Sequence, residues 1–212
     1  MHEKDQLRKQ SAVMKEGYYV HNVRESSPRE IHLFWKELHG CTKVLDAGCG
    51  IGLFGKFKPK GVEVHGLDND AGAITHAKRW ELAIVHDLKK KLPYAGTYFD
   101  AILAKDILEH MQEPWTVVKE MKRILKKGGI VLATVPAPSK KAWDDYTHVR
   151  PFTKRAIREL FTNQGFEIVF IKPIRGIPGF GKLGLSNLAS FLLKIPGLSL
   201  FTQGYTVKAR KP

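Results

Sequence analysis

Acidic residues are scarce in this chain. Asp and Glu number 21 against 35 Lys and Arg, which gives a formal charge of +14 over 212 residues. The shortage is sharpest at the end. From Arg150 onward the acids are Glu159 and Glu167 alone. Such a balance suits a polyanionic partner: nucleic acid, anionic lipid head groups or an acidic substrate. Cysteine is scarcer still. Cys41 and Cys49 lie close together with no metal-ligand spacing, which excludes a disulfide framework and fits a reducing compartment. There is no HExxH and no Cys/His cluster, so no metal is read from the sequence. A long clean apolar run is also missing. The greasiest stretch, "LGLSNLASFLLKIPGLSLF" at 183–201, is interrupted by Lys194 and Pro196, whereas a membrane span needs about 20 apolar residues. The opening "MHEKDQLRKQ" has no apolar core of a secretory signal. The expected location is cytoplasmic, with peripheral membrane contact as a variant.

What is present is an alternation of strand and helix signals. "SPREIHLFWKELHG" reads as a helix, with Pro28 in the first turn, Gly40 beyond the end, and Ile31, Phe34, Trp35 and Leu38 on one face. Strands are read at 43–47, 62–68, 81–87, 99–104 and 129–135. "PWTVVKEMKRILKKGG" reads as an amphipathic helix running to Gly128-Gly129, with Leu125 in its apolar stripe. "FTKRAIRELFTNQG" is a second such helix, capped by Thr153. "FEIVFIKPI" and "GYTVKAR" close the chain as strands. Alternating strands and helices imply an α/β fold with a parallel sheet. There are no repeats and no clear boundary, so residues 1–212 read as a single domain. It has an N-terminal helical cap (1–40), a core (41–172), a lid-like insert (173–203) and a last strand (204–210).

The first strand runs into "KVLDAGCGIGLFG", Lys43–Gly55, where four glycines fall within eight residues. Glycines between a strand and a helix let the backbone approach a ligand closely. "GIGLFG" formally matches a dinucleotide fingerprint. However, Asp46 sits where the pyrophosphate would arrive, and a carboxylate there repels a diphosphate and attracts a cation. The other strands repeat this charge: the second ends at Asp68, the third at Asp87, and Asp106 follows the fourth. Ligands of open α/β sheets sit at the carboxyl ends of the strands. Four acids there suit a cationic ligand that also carries hydroxyls.

These residues resemble a family. "VLDAGCGIG", Asp68 in "VHGLDND", Asp87 in "HDL" and "FDAILAKDILEHM" are similar to class I S-adenosylmethionine-dependent methyltransferases. The run through "EMKRILKKGGIVLATVP" and "DDYTHVRPFTKRAIRELFTNQGFEIV" resembles the type 11 group, relatives of quinone-biosynthesis methyltransferases. The likeness covers roughly 40–172. It implies a Rossmann-like three-layer sandwich whose seven-stranded sheet is parallel except for the last strand. The implied cofactor is S-adenosyl-L-methionine, with S-adenosyl-L-homocysteine as product. Asp46, Ala47, Gly48, Cys49 and Gly50 would lie near its methionyl part, and Ala104 and Lys105 along the methionine chain. Asp68 would hold the ribose, with Asn69, Asp87 and Leu88 at the adenine. The short interval between Gly52 and Val62 implies a short first helix in the core.

Methyl transfer is a displacement that positioning can largely drive, and a base is required only for an acceptor that must lose a proton. The candidates are His148, His110, Asp106 and Tyr146. Asp106 and His110 would share a helix face if that segment is helical. A small-molecule or lipid-like acceptor is the first expectation, because basic residues and Leu185, Leu188, Leu192 and Ile195 share the last third of the chain. That combination suits a lid or an anionic membrane surface. RNA is the alternative acceptor, and an inactive cofactor-binding subunit a further one. Nothing in the sequence indicates the oligomeric state.

Overall fold

The computed structural model describes residues 27–175 and 202–212. Most of the expected lid-like insert, and the expected cap before Ser27, lie outside the described residues.

A seven-stranded sheet organises the chain, in the order β3-β2-β1-β4-β5-β7-β6. Its strands are β1 (Lys43–Ala47), β2 (Glu63–Asp68), β3 (Leu82–Val85), β4 (Phe99–Lys105), β5 (Leu125–Pro136), β6 (Glu167–Arg175) and β7 (Thr202–Arg210). Parallel pairing runs from β3 through β5, and β7 lies antiparallel between β5 and β6. The order reverses between β1 and β4, which stand side by side. That junction is where open α/β sheets bind ligands. Pro173, which has no N–H to give, sits on the edge strand β6.

Successive residues of each strand face opposite layers. Val44, Val64, Ala101, Leu103 and Leu132 face α1 (Pro28–Glu37) and pack on Ile31, Phe34, Trp35 and Leu38. Ser27 caps α1: its hydroxyl accepts from the Glu30 amide at 3.2 Å. Trp35 stacks on Phe54 at 4.0 Å, and its ring N–H donates to the Phe54 carbonyl. Phe54 belongs to α2 (Leu53–Lys56), which is one turn long, as the short interval requires. After β2 comes α3 (Ala71–Ala77), capped by Asp70. Leu45, Ile102 and Val131 face the other layer, with Val117, Val118, Met121 and Ile124 of α4 (Pro114–Ile124). Ile157 and Phe161 of α6 (Lys154–Asn163) complete that layer, and Thr153 caps α6 as expected. The four-residue α5 (Lys140–Trp143) follows β5.

Boundaries differ from the sequence reading: β6 runs to Arg175 and β7 begins at Thr202, inside the expected insert, and two further elements change. The helix expected to run to Gly128 ends at Ile124, and Leu125 opens β5. Tertiary partners stop it. The Arg123 and Ile124 carbonyls accept from the Thr97 and Tyr98 amides, and the Leu125 carbonyl takes the Lys211 ammonium at 2.7 Å. The strand expected at 81–87 is only Leu82–Val85. Glu81 turns inward before it, and Asp87 lies beyond its end.

Candidate cofactor and acceptor site

The carboxyl ends of β1 and β2 carry the glycine loop. Gly48, Gly50 and Gly52 all have left-handed backbone, with φ of 80°, 51° and 79°. A side chain at Gly48 would collide with Ile107, which follows β4. Glycine therefore lets the loop close on the turn of the neighbouring strand. The Gly48 and Cys49 amides donate to the Leu67 carbonyl at 2.7 and 3.0 Å. Asp68 holds the loop as well: its Oδ2 accepts from the Gly50 amide at 2.9 Å and its Oδ1 from the Asp70 amide at 3.0 Å.

Beneath this loop is a buried acid cluster. Asp46 is 4% exposed and Glu81 is 5% exposed. Glu81 Oε1 accepts from the Gly55 amide at 2.8 Å, while Oε2 has no donor among the described residues. Burial pushes the Asp46 carboxyl well up, and the facing Glu81 and Asp68 carboxyls add to the shift. Burial likewise raises Glu81 to about 7. Burial raises the Cys49 thiol too, so it is no nucleophile. Cys41 and Cys49 are both free.

The other expected contact residues fall around the same rim. Ala47, Leu88 and Ala104 are buried, and Asn69 is exposed at the end of β2. Asp87 accepts from the Lys89 amide at 3.0 Å. Lys105 closes β4 and pairs with Asp106 at 2.7 Å. S-adenosylmethionine carries an ammonium, two ribose hydroxyls and an adenine amine, all of them donors. The rim acids, with the buried Asp46 and Glu81 beneath them and Glu81 Oε2 lacking a donor among the described residues, fit that group.

Asp106 and His110 do not share a helix face. Asp106 sits at φ 51° and accepts from the Thr134 hydroxyl at 2.8 Å, and only a 3₁₀ turn, Leu108–His110, follows. His110 instead meets His148, with ring centroids 4.8 Å apart. The chain after α5 is stitched to that turn: Val149 and Arg150 donate to the Glu109 carbonyl at 2.8 and 3.2 Å. His110 Nδ1 lies 3.1 Å from the Thr147 carbonyl and His148 Nδ1 lies 2.7 Å from the Ala142 carbonyl. A carbonyl only accepts, so both Nδ1 atoms carry a proton, which leaves Nε2 as the accepting atom of a neutral ring. Burial lowers the His110 pKa, keeping that ring neutral. Tyr146 is 75% exposed.

Two acids escaped the sequence reading of the site. Glu81 stands before an apolar run, where an acid looks like a solvated strand edge. Glu109, within "LEHM", is 1% exposed, with Oε2 lacking a donor among the described residues. Burial raises its pKa to about 8. Glu109, His110 and His148 bring one ligand atom each within 4.8 Å of one another. A potential donor set therefore exists where the sequence shows none, because His148 comes from a distant loop.

A family model described as a methyltransferase domain matches residues 19–170. The chain belongs to that family. Its fold is that of the class I S-adenosylmethionine-dependent methyltransferases. It is 27% identical over 135 residues to a ubiquinone biosynthesis O-methyltransferase of Histophilus somni, covering 57% of each chain. It is 26% identical over 166 residues to a malonyl-[acyl-carrier protein] O-methyltransferase of Enterobacter lignolyticus, covering 69% of this chain and 66% of the relative. The chain thus spans less than two thirds of either relative's length. A solved S-adenosylmethionine-dependent methyltransferase from Archaeoglobus fulgidus shares the fold, with a TM-score of 0.70 at 20% identity over 86% of this chain and 92% of that one. No helix among the described residues is long and apolar enough to cross a membrane.

Proposed function

We propose that this chain methylates a hydroxyl of a small-molecule or lipid-like acceptor, with the His110–His148 pair supplying the base. One observation carries this reading. Ile107 fills the space against Gly48 of the glycine loop, and three residues on His110 meets His148, each ring turning its Nδ1 to a backbone carbonyl. Bound S-adenosylmethionine supplies an electrophilic methyl group. Asp46, Asp68 and the 48–50 loop hold it, with Asn69, Asp87, Leu88, Ala104 and Lys105 around it. His110, neutral through burial, takes the acceptor proton at Nε2, and Asp145 Oδ2, 3.6 Å from His148 Nε2, steadies a proton passed to the second ring. Asp106, already engaged by Lys105 and Thr134, is the weaker base.

The relatives named as O-methyltransferases support an oxygen acceptor. An RNA acceptor is less favoured, because several bases of the last third are already engaged. Lys172 and Lys208 hold Glu37, Arg155 holds Glu159, and Lys211 holds a carbonyl.

The test is transfer of label from methyl-labelled S-adenosylmethionine into lipid, RNA, protein and small-molecule pools of an extract. Label in the lipid or small-molecule pool, lost in His110→Gln, is expected. Label in RNA would overturn the acceptor class. Turnover should survive chelation. If it were lost on chelation and restored by a divalent cation, the Glu109–His110–His148 set would be a metal site and not a base.

A further inference from the structure

Glu81 has no assigned task, yet the fold is shaped around it. It leaves the chain just after α3, and its side chain runs inward between α2 and β2. A Cβ at Gly55 or at Gly66 would strike it, so both positions are bare to admit it. One carboxyl oxygen is accounted for by the Gly55 amide at 2.8 Å. The other lacks a donor among the described residues and faces Asp46, which is itself buried. Two ionised carboxylates cannot share a dry site: each is an acceptor only, and their repulsion adds to the cost of burying either. One proton between them removes both problems, since a protonated carboxyl donates to its neighbour.

We propose that Asp46 and Glu81 share one proton beneath the glycine loop, and that cofactor binding expels it to solvent. The proposal rests on the reading that Asp46 faces the methionyl part of the cofactor. The incoming ammonium takes the place of the shared proton as the donor to Asp46. The pair then goes from one negative charge to two, balanced by the cofactor's cationic groups.

The groups around the pair favour this arrangement. Asp68 on β2 adds negative charge to Asp46, which keeps the proton on in the empty site. Lys105 at the end of β4 opposes that at Asp46, and Lys58 beyond α2 opposes it at Glu81. Cys49 lies against both acids and stays a thiol through burial. Glu81 is raised to about 7, so a shared proton would be exchanged near neutral pH. Glu81 is in this scheme a positioning residue. It keeps Asp46 neutral and the loop amides in place until the cofactor arrives.

Calorimetric titration of the full chain with S-adenosylhomocysteine tests this, in buffers of one pH but different ionisation heats. That ligand keeps the ammonium and needs no turnover. The wild type should release close to one proton per cofactor at pH 6, falling towards none by pH 8.5. Affinity should rise by up to tenfold per pH unit below the apparent pKa of the pair and level off above it. Glu81→Gln preserves an acceptor for the Gly55 amide, gives Asp46 a permanent donor, and should release almost no proton at any of these pH values. Thermal unfolding of each variant confirms that the fold is retained. Wild type that releases no proton across pH 6–8.5, or Glu81→Gln that releases as many as wild type, overturns the proposal. Asp46→Asn separates the two readings. If it binds as the wild type does, Asp46 does not face the cofactor. If it loses binding while wild-type affinity is flat with pH, the contact stands and the shared proton does not.

Discussion

Asp100 at the amino end of the sheet and the buried Asp46, Glu81 and Glu109 at its carboxyl end are treated in opposite ways. At the amino end, Asp100 near the start of β4 accepts from the Thr42 and Lys43 amides at 3.0 and 2.9 Å, the Thr42 hydroxyl at 2.9 Å and the Lys126 ammonium at 2.7 Å. These donors outweigh its partial burial and hold its pKa down at about 2. At the carboxyl end, Asp46, Glu81 and Glu109 are more deeply buried and have fewer donors, and burial pushes all three up. A carboxylate tied by several hydrogen bonds is finished structure. A buried carboxyl short of donors is a cost that the fold carries, and a cationic, hydroxyl-bearing ligand relieves it. In this account the asymmetry separates the end of the sheet that stabilises the chain from the end that binds.

The comparison breaks most sharply at the histidines. His110→Gln should lower kcat by about 100-fold or more, the typical worth of a general base, and leave S-adenosylhomocysteine affinity unchanged. Steady-state rates with calorimetry check both halves. A smaller effect is expected at Asp68, which faces the ribose in this account. Asp68→Ala should weaken S-adenosylhomocysteine binding by about 10- to 100-fold, the scale of a lost charged hydrogen bond. Asp100→Ala should do the reverse. It should cost roughly 1–3 kcal/mol of stability by stranding its donors, lower Tm by several degrees, and leave cofactor affinity alone.

The smallest effect is in pH dependence. Glu109 is raised in the folded chain from 4.5 to about 8. The folded state therefore binds the extra proton, and stability falls as pH rises from about 4.5 through about 8. Asp100 is lowered from 3.8 to about 2, so its contribution is present above 3.8 and fades as pH drops towards 2. Glu109→Gln should flatten the loss of Tm between pH 5 and pH 8 relative to wild type. Subtracting the two curves removes the general effect of net charge.

How much of this was legible in the sequence follows from range. Asp46 and Asp68 are visible because each lies at the end of a strand whose apolar pattern is local, and glycines cluster beside Asp46. The one-turn α2 follows from a short interval, and the antiparallel β7 from the family likeness. The end of α4 was not legible: its apolar stripe continues through Leu125, and amides from Thr97 and Tyr98 end it. Glu81 was missed because its burial depends on two bare glycines at 55 and 66, and nothing in a run of letters says that those face one another. The His110–His148 contact spans a long loop, so spacing could only nominate the two rings separately. Asp106 looked like the partner of His110, but the turn after β4 points it to Thr134.

The central claim is that the acids at the carboxyl end are held at a cost for the cofactor, while Asp100 serves the fold. The most direct measurement sets Asp46→Asn beside Asp100→Asn at pH 8, reading Tm without ligand and affinity for S-adenosylhomocysteine. The account predicts that Asp46→Asn raises Tm and loses affinity, whereas Asp100→Asn lowers Tm and keeps affinity. Asp46→Asn with lowered Tm and unchanged affinity would contradict it.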